Sequence, residues 1–440
     1  MKKFAVVLLA LLLTISYSTL SVQAALDTDE VDDIIASIPE EWPDAPEVAA
    51  ESAILIDAES GEILYGKNAT KKMYPASTTK LMTALLTLEN ASLRDTVTFS
   101  QTAVAIPSGS SHIGMRRNEK MVLEECLYGL LLPSANEVAN ALAEHVGKSI
   151  NSFVKMMNER VYRLGGVNTS FSNANGLHSP GHYTCAYDMA LIMKACAENS
   201  TFVEIASTPS YVHHADELLN KNIPMTNTHM MIRRSSEYYN EYVVCGKTGH
   251  TAESGYNLVT YAEKNGTKLI VVVMGCENGG QYVSTQSLLD YGFNYFHRVL
   301  PAELDTALNM ENMFTASKLE IPTPEVSLLQ LNASETILLP DTLTFDMLEK
   351  TVEDTDDGKQ VTYTYKNYPL GSVSLSYVSD SESAPFLKDK AAELPGPNLP
   401  ENLNTIDGWL IVVLAALIAA LVFLLIGLKR RFMPTGRKFL

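Results

Sequence analysis

Between residues 50 and 300, strand-like sequence stands at both ends and helix-like sequence fills the middle. Ala53-Ile54-Leu55-Ile56 and Ile63-Leu64-Tyr65 flank a polar, glycine-containing stretch from Asp57 to Glu62, the pattern of a β-hairpin. Far down the chain, residues 242–249, 256–261 and 268–274 are three further apolar runs, the last two separated by Asn265-Gly266, and they predict an antiparallel meander. A chain that places helices between two such blocks folds most simply as an α+β domain whose terminal strands meet in one sheet. In the middle, residues 80–88 read as an apolar, buried helix, and residues 124–145 read as helices interrupted at Pro133-Ser134. A proline there ends or kinks a helix and leaves Ser134-Ala135-Asn136 on a turn, with polar side chains free to face a cleft. Residues 287–300, with Leu288, Leu289, Tyr291, Tyr295 and Phe296, predict a closing helix.

The ends of the chain set its compartment. A basic Met1-Lys2-Lys3, an apolar run from Phe4 to Leu13, and small residues at Val22 and Ala24 predict a signal peptide over residues 1–24. Residues 409–428 carry no charge and are long enough to cross a bilayer as a helix. Lys429, Arg430, Arg431, Arg437 and Lys438 follow, so the tail at 429–440 is predicted to be cytoplasmic and the rest of the mature chain to be held outside a cell membrane by a single span. With 33 basic and 51 acidic residues the net charge is -18, which disfavours nucleic acid as a partner. Cys126, Cys185, Cys196, Cys245 and Cys276 are too few for a disulfide-built scaffold and odd in number; small buried thiols are expected. Residues 25–48, acidic and holding Pro39, Pro43 and Pro46, read as a spacer. Residues 303–378 alternate short apolar segments and predict a small β-sandwich, and the proline-rich residues 379–408 predict a linker to the membrane.

Chemistry enters at Ser77-Thr78-Thr79-Lys80, where the buried helix begins. Positions three apart share a helix face, so the Lys80 amine can stand beside the Ser77 hydroxyl and act as its base if burial and nearby positive charge favour the neutral form. The spacing alone is weak, because chance supplies it roughly once or twice in a chain this long. Ser152-Phe153-Val154-Lys155 repeats it, and Ser149-Ile150-Asn151 repeats the Ser-x-Asn of Ser134 and Asn136. Order and context separate the two sets: Ser77-x-x-Lys80 at a helix start, Ser134-x-Asn136 on a turn, and Lys247-Thr248-Gly249 on a strand. A phosphate-loop reading of Gly246-Lys247-Thr248 fails, since the first glycine it requires would fall at Glu241 and a strand follows. His178 and His182 have metal-like spacing, but Pro180 and Gly181 make a helix improbable there and no carboxylate or cysteine cluster joins them; no metal or other cofactor is expected.

These motifs carry a resemblance. Pro75-Ala76-Ser77-Thr78-Thr79-Lys80, Leu132-Pro133-Ser134-Ala135-Asn136, Asn175-Gly176-Leu177, Ala186-Tyr187-Asp188-Met189-Ala190 and Gly246-Lys247-Thr248-Gly249-His250-Thr251 make the chain similar, over roughly residues 50–300, to the low-molecular-mass penicillin-binding proteins, the serine-type D-alanyl-D-alanine carboxypeptidases. The resemblance implies a β-lactamase/transpeptidase-like domain over residues 49–302 and a substrate that is a peptidoglycan stem peptide, with β-lactam antibiotics as acylating inhibitors. It implies that Ser77 attacks the carbonyl between two D-alanines, that Lys80 takes its proton and that Ser134 relays one to the leaving amine. Asn136 would bind the substrate amide, Lys247 and Thr248 of the Lys247-Thr248-Gly249 strand the terminal carboxylate, and the backbone N–H groups of Ser77 and His250 the oxyanion. Two local departures, His229 after Asn227 where the family often repeats Asn, and Asn118-Glu119 for Gly-Glu, bear on substrate preference. A β-lactamase would need a well-placed Glu in the loop after the second motif, and residues 160–187, which read as a surface loop around Asn173-Ala174-Asn175-Gly176-Leu177, hold no acid.

Overall fold

The computed structural model describes residues 26–305, 329–355 and 358–377. In chain order its main elements are helix α1 (Thr28–Ala36), hairpin strands β1 (Ser52–Asp57) and β2 (Ile63–Lys67), and helices α2 (Lys80–Asn90), α3 (Leu123–Leu131), α4 (Asn136–Gly147), α5 (Ile150–Arg163) and α6 (Ala186–Ala197). There follow strands β3 (Val243–Thr251), β4 (Gly255–Lys264) and β5 (Thr267–Cys276), helix α7 (Gly280–Tyr295), and strand β6 (Phe296–Val299). The last strands are β7 (Leu329–Leu331), β8 (Ile337–Pro340), β9 (Glu349–Thr355), β10 (Gly358–Tyr365) and β11 (Tyr368–Tyr377).

The hairpin and the meander join as expected into one five-stranded antiparallel sheet, order β2-β1-β5-β4-β3. β1 and β5 are apolar on both faces because both are covered, with Ile54 and Ile56 facing the helical cluster and Ala53 and Leu55 facing α7. α2 is the centre of the helical layer: Leu81 through Leu86 are buried without a break. β3, the last strand in the order, is left as an edge beside the start of α2, and that edge is where the candidate site forms.

Three expectations change. The acidic stretch 25–48 is not a spacer. Asp27 caps α1 by accepting from the backbone of Asp29 and Glu30, while Glu30 accepts from the Asp27 N–H at 2.8 Å, a complete capping box. Val31, Ile34, Ile35 and Ile38 recur at helical spacing and pack on the domain, so the acids mark only the outer face. Trp42 is buried edge-on between Phe296 and Tyr368, each 5.1 Å away. The closing helix ends at Tyr295, and Phe296–Val299 is a strand that pairs antiparallel with Ile337–Pro340. That partner lies far along the chain, so local pattern could not show it. The loop around residues 173–177 is not merely superficial, because Ala174, Asn175 and Gly176 are buried against the start of α2.

The C-terminal strands form one four-stranded antiparallel sheet, order β7-β11-β10-β9, beside the short β6–β8 pair. Val361, Tyr363 and Val373 give it a small core, and β9 is exposed along its whole length. Arg298 ties it to the hairpin, donating to Asp57 Oδ1 at 2.5 Å and Thr336 Oγ1 at 3.1 Å and pairing with Glu59 at 2.9 Å. Among the described residues no helix is long and apolar enough to cross a membrane. The predicted signal peptide at 1–24, linker at 379–408, span at 409–428 and tail at 429–440 lie outside the described residues.

Candidate active site

A single 3₁₀ turn, Ala76–Thr79, leads into α2 and puts Ser77 at its mouth. Ala76 has φ +48°, a left-handed conformation that costs a non-glycine residue of order 1–2 kcal/mol. No side chain caps this turn; the Thr78 hydroxyl bonds back to Pro75 O at 2.8 Å, and the Ser77 hydroxyl is left to face Lys80. Ser77 Oγ and Lys80 Nζ are 2.9 Å apart. Nζ also donates to Asn136 Oδ1 at 2.8 Å and to the carbonyl of Asn175 at 2.5 Å. Lys80 is fully buried, and its amine is held well below the ordinary lysine range, first by burial and then by the charge of Lys247, with Glu137 opposing. With two of its hydrogens on the two amide oxygens, a neutral amine can turn its lone pair toward the Ser77 O–H, the arrangement a base needs.

The second motif lies between α3 and α4, as the proline break predicts. Ser134 has φ +67°, and its Oγ is buried with no partner among the described residues. Asn136 opens α4, and with its Oδ1 engaged by Lys80 its amide NH₂ has no partner among the described residues. Beside it, Glu137 is buried and accepts the backbone N–H groups of Ile113 and Gly114 at 2.7 and 3.1 Å, fixing the segment that crosses in front of α4. The third motif runs along β3. Lys247 is fully buried, with Nζ 3.2 Å from Thr248 O, and burial pulls its pKa down to about 7. Thr248 Oγ1 lies 2.7 Å from Thr228 Oγ1, Gly249 is buried, and His250 is exposed with its ring stacked 4.0 Å over Tyr256.

Close backbone approach locks the three motifs together. A Cβ on Gly249 would stand 2.7 Å from Pro75 O, and one on Gly176, whose φ is +86°, would stand 1.8 Å from Ala76 O. Only glycine fits either place. Asn257 adds a clasp, donating through Nδ2 to Tyr74 O and Pro75 O at 2.8 and 3.1 Å. Ser77, Ser134, Thr248 and His250 all line one cleft of about 490 Å³.

Every predicted site residue thus falls in or beside that cleft, whereas the competing copies do not. Ser152 and Lys155 are exposed on α5, and Ser149 is the N-cap of that helix. Several supporting residues escaped the sequence. His182 accepts the Ser172 N–H at Nδ1, 2.9 Å, so its Nε2–H is the one that donates to Thr79 Oγ1 at 2.8 Å; burial holds its pKa near 4 and the ring is neutral. His178 instead meets the edge of Tyr74, so the two histidines serve different neighbours. His229 is buried against Gly246 with Nε2 3.0 Å from Thr260 Oγ1, and burial and the charge of Lys247 push its pKa to about 3. Asp188, the first acid after the acid-free loop, accepts from Val167 N, Asn168 N and Thr169 Oγ1. It anchors that loop from below. Asp188 stood in the Ala186-Tyr187-Asp188-Met189-Ala190 motif, while His182 and His229 carried other readings, metal-like spacing and substrate preference, so the sequence showed none of the three as a support.

A serine at a helix mouth, a buried lysine amine behind it, and a lysine on the edge strand in front sit in a penicillin-binding, transpeptidase-like α+β fold. Comparison with known proteins agrees: the family model of the D-alanyl-D-alanine carboxypeptidases, peptidase S11, matches residues 40–278. The D-alanyl-D-alanine carboxypeptidase DacF of Bacillus subtilis is 31% identical over 317 residues, which cover 71% of this chain and 75% of that protein. A solved D-alanyl-D-alanine carboxypeptidase from Mycobacterium tuberculosis is 27% identical with a TM-score of 0.53, covering 58% of this chain and 95% of its own. Penicillin-binding protein 6B of Escherichia coli shares the fold over 77% of this chain and 97% of its own, with a TM-score of 0.57 and 24% identity. The chain belongs to the S11 family of D-alanyl-D-alanine carboxypeptidases.

Proposed function

We propose that the chain is a serine carboxypeptidase that removes the terminal D-alanine from peptidoglycan stem pentapeptides, and that penicillin acylates it at the same serine. The observation that carries this reading is the buried Lys80 amine, 2.9 Å from Ser77 Oγ and held by the Asn136 Oδ1 and Asn175 carbonyl oxygens at 2.8 and 2.5 Å. Ser77 attacks the carbonyl of the penultimate D-alanine while Lys80 takes its proton. The developing oxyanion sits between the backbone N–H groups of Ser77 and His250, on the edge strand that Gly249 lets approach. The C–N bond breaks, the proton passes through Ser134 to the departing amine, and D-alanine leaves. Water then cleaves the acyl-enzyme and restores Ser77. Asn136 offers its free NH₂ to the substrate amide, and Lys247 with Thr248 holds the terminal carboxylate, for which a protonated Lys247 is required.

The enzyme works outside the cytoplasm after removal of residues 1–24, held to the membrane by residues 409–428 with the basic tail inside. Residues 303–378 supply a β-rich part between the enzyme and the linker at 379–408. The test is D-alanine release from a peptide ending in D-Ala-D-Ala by the full chain and by its Ser77→Ala variant. Release by the first alone is expected; release by neither from folded protein contradicts the reading.

A further inference from the structure

Burying a carboxylate is costly, and Glu137 is buried in the first turn of α4, only 1% exposed and directly after Asn136. One of its oxygens is well supplied. Oε1 accepts the backbone N–H groups of Ile113 and Gly114 at 2.7 and 3.1 Å and faces that of Met115 at 3.5 Å. The start of α4 adds the positive end of its peptide dipoles. Oε2, by contrast, is buried and has no partner among the described residues. Holding the crossing segment requires an acceptor but no charge, since an amide oxygen would take the same N–H groups. The negative charge is surplus to that task.

Asn136 connects that charge to the reacting groups. Its Oδ1 accepts from Lys80 Nζ at 2.8 Å and its backbone N–H donates to Ser111 O at 2.9 Å, so α2, α4 and the crossing segment meet at one residue. Three titratable groups from the surrounding elements bear on the Lys80 amine: Lys247 from β3, His182 from the loop before α6, and Glu137 from α4. Lys247 opposes a proton there, the His182 ring is neutral, and Glu137 favours one. When Ser77 is acylated its proton passes to Nζ, and the amine becomes a buried ammonium with Lys247 opposing it. A fixed negative charge acts strongly in such a water-poor place and favours the state in which Lys80 holds the proton. We infer that Glu137 is a positioning residue with two tasks: Oε1 holds residues 113–115 across α4, and its charge stabilises the Lys80 ammonium that forms with the Ser77 ester. The inference rests on the carboxypeptidase reading for Lys80 as the base. No bond to Glu137 forms or breaks; the proton moves from Ser77 Oγ to Lys80 Nζ, and none passes to Glu137.

The test follows benzylpenicillin acylation of the purified full chain by stopped flow from about pH 5 to 10, with D-alanine release from a peptide ending in D-Ala-D-Ala measured alongside. Wild type is compared with Glu137→Gln, Glu137→Ala and Glu137→Asp. In Glu137→Gln the N–H groups keep an acceptor and only the charge is lost. Its plateau rate is expected about tenfold below wild type, and its acid limb about one pH unit lower, because Lys80 gives up its proton more readily without the carboxylate. The alkaline limb, set by Lys247, is expected to stay in place, since burial and not Glu137 lowers that amine. Glu137→Ala is expected to repeat the shift with a larger loss of rate. Glu137→Asp keeps the charge and is expected to keep the wild-type acid limb even where its rate falls. Thermal melting reports whether each variant folds, and the two neutral variants differ in size, so one misfolded variant does not remove the test. An acid limb unmoved in a folded neutral variant overturns the inference and leaves the carboxypeptidase reading standing. Failure of both neutral variants to fold makes Glu137 a scaffold residue alone and also overturns it. Wild type that is neither acylated nor able to release D-alanine overturns both.

Discussion

The Ser77 cleft and the C-terminal sheet place their charges in opposite ways. At the cleft, Lys80 and Lys247 are fully buried, and burial holds both amines below the ordinary lysine range. In the C-terminal sheet, Glu349, Lys350, Glu353 and Asp354 all lie on an exposed strand, and the core is a short list of apolar residues. The first arrangement sacrifices stability for reactivity, because a desolvated amine is costly wherever it must carry a proton. The second is ordinary folding economy. The difference teaches where substitutions should act: at the cleft on rate and on pH dependence, at the C-terminal junction on stability alone.

The sharpest break in that contrast is Lys80→Ala. Loss of the base is expected to slow both peptide turnover and penicillin acylation about 10³-fold, read by stopped-flow acylation, while melting is unchanged or raised. Next is Lys247→Met, which is expected to lower kcat/KM for a carboxylate-ended peptide about 100-fold. It also has a thermodynamic signature. A lysine whose pKa falls to about 7 on folding leaves the native state with fewer protons than the unfolded chain between about pH 7 and 10.5, so wild-type stability rises with pH across that window. Lys247→Met removes this penalty, and its gain in melting temperature should be larger at pH 6 than at pH 9.

At the junction the expectations reverse. Trp42→Ala removes a side chain packed between Phe296 and Tyr368, and is expected to cost about 2 kcal/mol by denaturant titration with kcat unaltered. The smallest effect is at Glu62, half-buried beside Asp57, where burial and the Asp57 charge push its carboxyl up to about 8. Its folded pKa lies above the unfolded one, so its contribution is present below about pH 4.5 and is lost as pH rises through about 8, opposite in sign to Lys247. Glu62→Gln should flatten that decline in melting curves taken between pH 6 and 9.

The two regions also differ in how far their sequences could be read. The hairpin, the meander, the break at Pro133 and the order of the three motifs were legible, because each depends on local periodicity or on turn chemistry. The third partner of Lys80 was not: Asn175 contributes a backbone carbonyl, which any residue has, and only the glycine at 176 hinted that the backbones meet there. His182 and His229 looked like metal-site or substrate-preference features and are neutral, buried supports. At the junction, Phe296–Val299 continued an apolar helical pattern and became a strand because Ile337–Pro340 pairs with it. Residues 25–48 looked too acidic to pack, yet Val31, Ile34, Ile35 and Ile38 keep helical spacing beneath the acids. Overall composition masked a one-sided pattern.

The most direct test of the central claim, that burial beside Lys80 makes Ser77 the nucleophile, is peptide mapping by mass spectrometry after brief exposure of the full chain to benzylpenicillin. A single acyl adduct on the peptide containing Ser77, absent from Ser77→Ala, is the predicted result. An adduct on the exposed Ser152, or none on folded protein, would contradict it.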